Sequence, residues 1–352
     1  GIRAGFEQGV RYVNERLGGI NGHPLEVEAC NVDITPESSV DCANQFVEQG
    51  VVAAVQGVDV AADAALPVLS EANIAEIAMF PFSPALDKSP GEAFVTLFSI
   101  EEAYAAHLIA QKELGATNVA VLIVDLPSGH AAYEEAIKPV AEALDLTVTP
   151  HYYVQATVDW ASFAATVMAT GPDGIDMGAP TEADCTAAVP AFDAAGFEGV
   201  FHAGSCVEFR TSLPADVVEG VVNHAEFYTE QMNDLPAKVE ADIAVYREFM
   251  EAEEPDYVDS LYGTLGFAVA VDAADMLRQV PGDEYTAQTV IEALPAATGT
   301  KFFTESPYDC SAPLWPGTSS CGRNILYVRN LGEGALEVLD FSPVDVSPVI
   351  PD

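Results

Sequence analysis

Along most of the chain, helical stretches alternate with short apolar runs that carry almost no polar residues, and Val119-Ala-Val-Leu-Ile-Val124 is the clearest of them. A strand without polar alternation belongs in a sheet covered on both faces. Regular βα alternation then implies parallel, doubly wound sheets with right-handed crossovers, an α/β fold. The spacing predicts a helix over 2–17, a Gly-Gly-Ile-Asn-Gly turn and a strand over 24–32. Helices over 37–49 and 61–72 are expected to precede strands over 51–56 and 75–79. A second series is expected to follow: helix 101–114, strand 119–124, helix 129–144, strand 147–153, helix 160–170, strand 174–177, helix 181–195 and strand 199–203. Long helices are expected over 237–252 and 257–279, and a hairpin-like pair over 324–329 and 335–339.

At 352 residues the chain is long for one core, so two domains are expected. The first βα series ends between 94 and 100, and another break falls near 223–231. Two similar halves with several crossings follow, at 98–101, 223–231 and 322–326. One lobe takes 1–100 plus 229–323 and the other 101–228 plus 324–352. A hydrophobic content of 49% with 19% charged residues describes a globular chain. Thirteen Lys and Arg against 55 Asp and Glu give a net charge of −42. That field repels phosphate backbones and anionic bilayers, which excludes a nucleic-acid partner. Such acidity suits solubility outside the cell or in salt, with attraction of cationic ligands as the competing reading. No apolar run reaches the roughly 20 residues that span a bilayer.

Six cysteines fall in three local pairs, Cys30 with Cys42, Cys185 with Cys206, and Cys310 with Cys321. None has the CxxC spacing of a zinc or redox motif. Many connectivities are open on sequence alone. Sequential pairing is expected because it closes short loops inside single lobes. The competing reading is six reduced thiols in a cytosolic protein. An even count in an acidic, lysine-poor chain favours an oxidising compartment.

One long segment, Gly5-Phe-Glu-Gln-Gly-Val-Arg-Tyr-Val-Asn-Glu-Arg-Leu-Gly-Gly-Ile-Asn-Gly-His-Pro-Leu-Glu-Val27, is followed by Cys42-Ala-Asn-Gln-Phe-Val47. With Ala78-Met-Phe-Pro81, Leu114-Gly-Ala-Thr-Asn-Val-Ala-Val121 and Ala194-Ala-Gly-Phe-Glu-Gly199, it resembles the type I periplasmic binding proteins. Within them the chain is most similar to the leucine/isoleucine/valine-binding group and its actinobacterial relatives. The resemblance implies two Rossmann-like lobes joined by a hinge. It implies a small-molecule ligand held between the lobes and delivery to the membrane permease subunits of an ABC importer. It implies no catalysis, no cofactor and no metal, and a monomer in the periplasm or anchored as a cell-surface lipoprotein. Family members open with a strand and a Gly/Ser-rich ligand loop before the first helix. This sequence begins at that helix, so upstream residues are expected to be missing from it.

Ligands of open α/β sheets bind beyond the carboxyl ends of the strands, and that rule selects the candidate site residues. Gln56-Gly-Val-Asp59 leads into a helix whose N-terminal amides suit an anion; Asp59 either contacts ligand or caps that helix. Phe80, Phe82 and Ser83 follow the strand over 75–79. The two aromatics suggest a stacking wall, with ordinary packing at the sheet edge as the alternative. Ser128 and Gly129 follow 119–124, Pro180 and Thr181 follow 174–177, and Ser205 follows 199–203. Tyr262, on the long helix, is a candidate to project into the cleft from the hinge side, with an ordinary core or surface position as the favoured alternative. Relatives that bind amino acids place an acid near position 205, whereas here the nearest is Glu208. That departure, with the aromatic and hydroxyl candidates, favours an aromatic or other apolar carboxylate over an amino-acid-like ligand.

Arg210 and Lys301 stand out because cations are scarce; surface ion pairing is expected for both, with pairing to a ligand carboxylate as the alternative. The six histidines are scattered without metal-ligand spacing, and His130, expected to be a solvated residue at a helix N-terminus, is the one nearest the predicted cleft. No GxSxG elbow, Walker A loop, HExxH pair or GxGxxG fingerprint occurs, which weighs against an α/β enzyme. A sensory ligand-binding domain on the same fold is the alternative to a transport receptor.

Overall fold

The computed structural model describes residues 1–350 except 34, 156, 179 and 324. Position 324, in the expected hairpin and third crossing, lies outside the described residues. The described strands are β1 (Ala53–Gln56), β2 (Ala75–Ala78), β3 (Ala93–Val95), β4 (Asn118–Val124), β5 (Thr147–Tyr153) and β6 (Gly174–Met177). They continue with β7 (Val200–His202), β8 (Val222–Ala225), β9 (Thr298–Thr300), β10 (Pro307–Asp309), β11 (Leu326–Asn330) and β12 (Leu336–Val338). The chain divides into two units, Gly1–Ser99 with Pro236–Arg323, and Ile100–Leu235 with Asn324–Asp352.

In the first unit β1, β2 and β3 form a parallel sheet in that order. Helix Ile2–Arg16 packs along helix Leu261–Leu277 at backbone contact. A Cβ on Gly5 would stand 2.0 Å from the Gly263 carbonyl oxygen, and one on Gly266 would stand 2.0 Å from that of Ile2. Glycine is thus required by proximity. Around this contact Val13, Phe267 and Ala274 are buried. Helix Pro36–Gln49 is capped by the Thr35 hydroxyl, carries Pro at its first position and stops at Gly50 in the left-handed region.

Two expectations fail in this unit. The segment 24–32 forms no strand: among the described residues no strand pairs with it, and Val27 is exposed. A backbone without a ladder partner has no reason to stay regular. It is held instead by Asn14, whose amide donates to Leu25 O and whose carbonyl accepts from Leu25 N, and by the Cys30–Cys42 disulfide. The helix expected over 61–72 is a single 3-10 turn, Ala62–Ala64, followed by a short helix, Leu66–Glu71, with Pro67 in its first turn.

The second unit holds a seven-stranded sheet in the order β12-β11-β8-β7-β6-β4-β5. β4 to β8 run parallel, and β11 pairs antiparallel with both β8 and β12. Alternation along each strand sends side chains to opposite faces. Ile175 and Met177 join Phe201, Val189 and Phe192 in a core under helices Trp160–Met168 and Glu182–Ala194. The intervening Asp176 points to the opposite face, which helix Ile100–Glu113 covers, and there Gln111 Nε2 donates to Ile175 O at 2.7 Å. The expected helix over 129–144 starts at Pro127 and is interrupted by a π segment, Tyr133–Ile137. Pro139 explains the interruption, since it lacks the N–H that a regular α-helical turn would use there. Disulfides join Cys185 to Cys206 in this unit and Cys310 to Cys321 in the first. No helix among the described residues is long and apolar enough to cross a membrane.

Candidate functional site

At the carboxyl edge of the first unit's sheet, the chain leaves β1 through Gly57-Val-Asp59. Asp59 is buried, and its Oδ1 accepts from Ala61 N at 2.9 Å while Gln56 Nε2 donates to Asp59 O at 2.9 Å. It therefore caps a turn rather than a helix, and the expected helix N-terminus for an anion is only one 3-10 turn long. Asp63 Oδ1 accepts from Ala85 N at 3.0 Å, tying this turn to the one after β2. Phe80 and Phe82 are half-buried and meet edge-to-face at 5.3 Å, with the buried Phe98 at 5.3 Å from Phe80. Ser83 is buried, and its hydroxyl accepts from Leu86 N to cap helix Pro84–Asp87. Tyr262 is exposed at the start of its helix, beside Gly1. Ile2, the next residue, packs on Gly57, so Tyr262 and the β1 edge lie near one another.

Sequence reasoning passed over Glu76. It sits buried in the middle of β2, and burial, reinforced by the nearby Asp59 and Asp63 carboxylates, pushes its pKa up to about 8. An acid inside the apolar run Ala75-Glu-Ile-Ala78 was the available signal. Lys301 corrects another expectation: it is fully buried near Asp272 rather than in a surface ion pair.

The strands β5-β4-β6-β7-β8 of the second unit follow the 2-1-3-4-5 order of doubly wound sheets, whose crevice opens between the first and third strands. Here that point lies beyond Val124 and Met177. Ser128 is exposed in the first turn of helix Pro127–Ala132. His130, also exposed, stacks on Tyr152 at 3.9 Å and pairs with Asp125 at 2.9 Å. Thr181 caps helix Glu182–Ala194 in a capping box with Asp184, so its hydroxyl is already engaged.

The loop carrying Ser205 is fixed from three sides. Asn223 Nδ2 donates to the carbonyls of Ala203, Gly204 and Cys206 at 3.3, 3.0 and 3.2 Å. Glu182 accepts from Val207 N and Glu208 N at 2.8 and 3.0 Å, and Cys206 is bonded to Cys185. Gly204 (φ +60°) lies so close to Pro180 that a Cβ would stand 2.6 Å from its Cδ. The structure thus brings Pro180, Thr181 and Ser205 together. Arg210 is not a surface ion pair: among the described residues its Nε has no hydrogen-bond partner, and burial lowers its pKa to about 10 against the pull of Glu182 and Glu226. A shallow concavity at the opposite ends of β6 and β7, lined by Leu114, Asp173, Glu198 and Arg329, is a weaker candidate. Its Asp173 carboxylate is already saturated by Thr117 and Asn118.

Three of the six histidines, scattered in sequence, converge beneath this edge. His107 comes from helix Ile100–Glu113, His202 from β7 and His224 from β8, and all three are buried. Asp176 pairs with His202 across adjacent parallel strands, and Tyr327 lies opposite His224 on β11, so one face carries the whole row. Asp176 Oδ1 hydrogen-bonds His202 Nδ1, and His202 Nε2 lies 3.2 Å from His224 Nδ1. Burial lowers the pKa of His202 and takes that of His224 well below the histidine range. Burial opposes ionisation of Asp176 as well, yet the adjacent imidazoles hold its carboxyl below the usual range.

Two α/β units with pinned loops at the carboxyl edges of their parallel strands define a solute-binding protein of the type I periplasmic class. The family model described as periplasmic binding protein matches residues 1–309, and the chain belongs to that family. It is accordingly a solute-binding protein that acts outside the cytoplasm, and not an enzyme. No curated protein sequence matches the chain significantly. Among solved structures, an ABC transporter substrate-binding protein of Desulfitobacterium hafniense in complex with Leu is similar at TM-score 0.72 and 18% identity, covering 96% of this chain and 95% of that one. A branched-chain amino acid transporter substrate-binding protein of Streptococcus pneumoniae, in complex with isoleucine, matches at 0.72 and 16%, covering 96% and 93%. A fatty acid ABC transporter substrate-binding protein of Thermomonospora curvata matches at 0.75 and 14%, covering 98% and 88%.

Proposed function

We propose that the protein is the substrate-binding component of an ABC importer and hands an apolar or aromatic carboxylate to membrane permease subunits. In this reading the two units act as its two lobes. The observations that support the ligand class are the chemistries at the carboxyl edge of each unit, taken separately. The first unit offers the half-buried Phe80–Phe82 pair, while the second holds Ser205 on a pinned loop and Arg210 with an unpartnered Nε. Aromatic faces suit an apolar body, and a desolvated guanidinium suits a carboxylate. Position 205 supplies no acid for an ammonium. The solved relative with fatty acid in its name supports a carboxylate with an apolar body.

A thermal-shift screen followed by calorimetry tests this, with amino acids, aromatic acids, short fatty acids and dicarboxylates as ligands. The expected result is a rise in melting temperature with aromatic or apolar acids that is lost with the matching amides. A rise with zwitterionic amino acids alone, or with sugars alone, overturns the ligand class.

A further inference from the structure

Beneath the carboxyl edge of the second unit lies a polar nest that ligand capture does not require. His107, His202 and His224 are 2%, 2% and 6% exposed, and one donor nitrogen from each lies within 4.8 Å of the other two. Among the described residues neither ring nitrogen of His107 has a hydrogen-bond partner, its Nδ1 standing 3.6 Å from Asp176 Oδ1, and Asp176 Oδ2 and the Tyr327 hydroxyl also lack one. Burying such groups unpaired costs about 1–3 kcal/mol each, so a nest containing several of them calls for an occupant.

The geometry points to a buried site for a divalent transition cation of the zinc class, ligated by His107, His202 and His224. Asp176 orients one ligand: its Oδ1 accepts a hydrogen bond from His202 Nδ1–H, which leaves the Nε2 lone pair directed away from the carboxylate. That Nε2 lies 3.2 Å from His224 Nδ1. Tetrahedral ligation at about 2.0–2.1 Å sets nitrogen donors about 3.3 Å apart, so these two already stand at ligating separation. For His224 to ligate through Nδ1 its proton must sit on Nε2, and Glu226 Oε1 lies 3.8 Å from that atom. His107 completes the set by rotating its ring, now 4.5 Å from His202 and 4.8 Å from His224 between centroids, toward the shared point. The buried Asp176 carboxylate supplies compensating charge. A cation here ties helix Ile100–Glu113 to β7 and β8, directly under the loop that carries Ser205.

The test uses the full chain, stripped with chelator and titrated with zinc chloride by calorimetry and with cobalt(II) chloride by visible absorption. Titrations are run on native protein and on protein refolded with the cation, because the donors are buried. One equivalent should bind with an intense tetrahedral cobalt spectrum, and zinc should raise the melting temperature. His107→Gln and His202→Gln, each checked for native circular dichroism, should weaken cobalt binding at least 100-fold. His23→Gln and His130→Gln, outside the cluster, should bind as wild type. The wild-type spectrum decides the matter even if the cluster variants fail to fold. A weak octahedral spectrum displaced by excess magnesium would assign the cation to surface carboxylates and overturn the proposal. Absence of uptake by either route would mean that water fills the nest, and would overturn it equally.

Discussion

Gly5 and Gly263 hold two helices at backbone contact: a Cβ on Gly5 would stand 2.0 Å from the Gly263 carbonyl oxygen. The first unit's helix pair is thereby specified by absent side chains as much as by the buried Val13 and Phe267. Gly5→Ala must push helix Ile2–Arg16 away from helix Leu261–Leu277, because the obstacle is backbone and cannot rotate aside. The expected cost is about 3 kcal/mol, the upper end of overpacking penalties. Gly18→Ala is no useful control, since Gly18 has φ +74° and would add backbone strain of its own. Ala4→Ser, one residue from Gly5 on the same helix, serves instead and should change stability by less than about 0.5 kcal/mol. Urea denaturation of the variants measures both.

Glu76 gives the stability of the first unit a pH dependence of definite sign. Its folded pKa of about 8 lies above the ordinary value of 4.5, so the folded chain keeps a proton that the unfolded chain releases. The contribution is fully present below about pH 4.5 and is lost as pH rises through about 8. Melting temperature should therefore fall across that window, and Glu76→Gln should flatten the slope. Asp272, whose carboxyl burial pushes above its ordinary range, adds an effect of the same sign. Asp176 acts only in more acid solution, because its pKa is depressed. A slope unchanged by Glu76→Gln would show that the carboxyl is solvated in the folded protein.

Asn223 should prove more costly to lose than its size suggests. Its amide serves three buried carbonyls around Ser205, and its Oδ1 accepts from Asn330 Nδ2 at 2.7 Å. Asn223→Ala strands these partners, each at about 1–3 kcal/mol if water cannot reach it. Thermal denaturation should show a loss of at least about 2 kcal/mol. Hydrogen exchange should quicken at 203–208 more than in the β4 core.

Strand β4 was legible because Val119-Ala-Val-Leu-Ile-Val124 is buried on both faces and reads as an unbroken apolar run, whereas β8 (Val222–Ala225), equally buried, reads as part of a crossing because Asn223 and His224 break its apolar pattern. The failure at 24–32 has the opposite cause: Leu25, Val27 and Ala29 alternate like a strand, but a strand also needs a partner, which local pattern cannot supply. Thr181 and Ser205 were selected because strand ends can be read from sequence, whereas the engagement of the Thr181 hydroxyl by Asp184 depends on rotamers. The histidine nest was invisible for a topological reason. Its members come from one helix and two strands that only the crossover order brings together, and no spacing rule spans such a gap.

Phe82 offers the most direct check on where ligand is held. Its ring is half-buried and meets Phe80 edge-to-face at 5.3 Å, so one face remains available to a ligand, whereas Phe98 is buried in the same cluster. These two positions should therefore respond differently. Phe82→Ala should weaken binding of the best acid from the screen by about 1–3 kcal/mol, the worth of a stacking anchor. Its melting temperature without ligand should change little. Phe98→Ala should do the reverse, costing about 3–5 kcal/mol of stability as a large-to-small core change. Calorimetric titration and denaturant melts of both variants separate the two effects. Unchanged affinity in Phe82→Ala would place the ligand away from the carboxyl edge of β2.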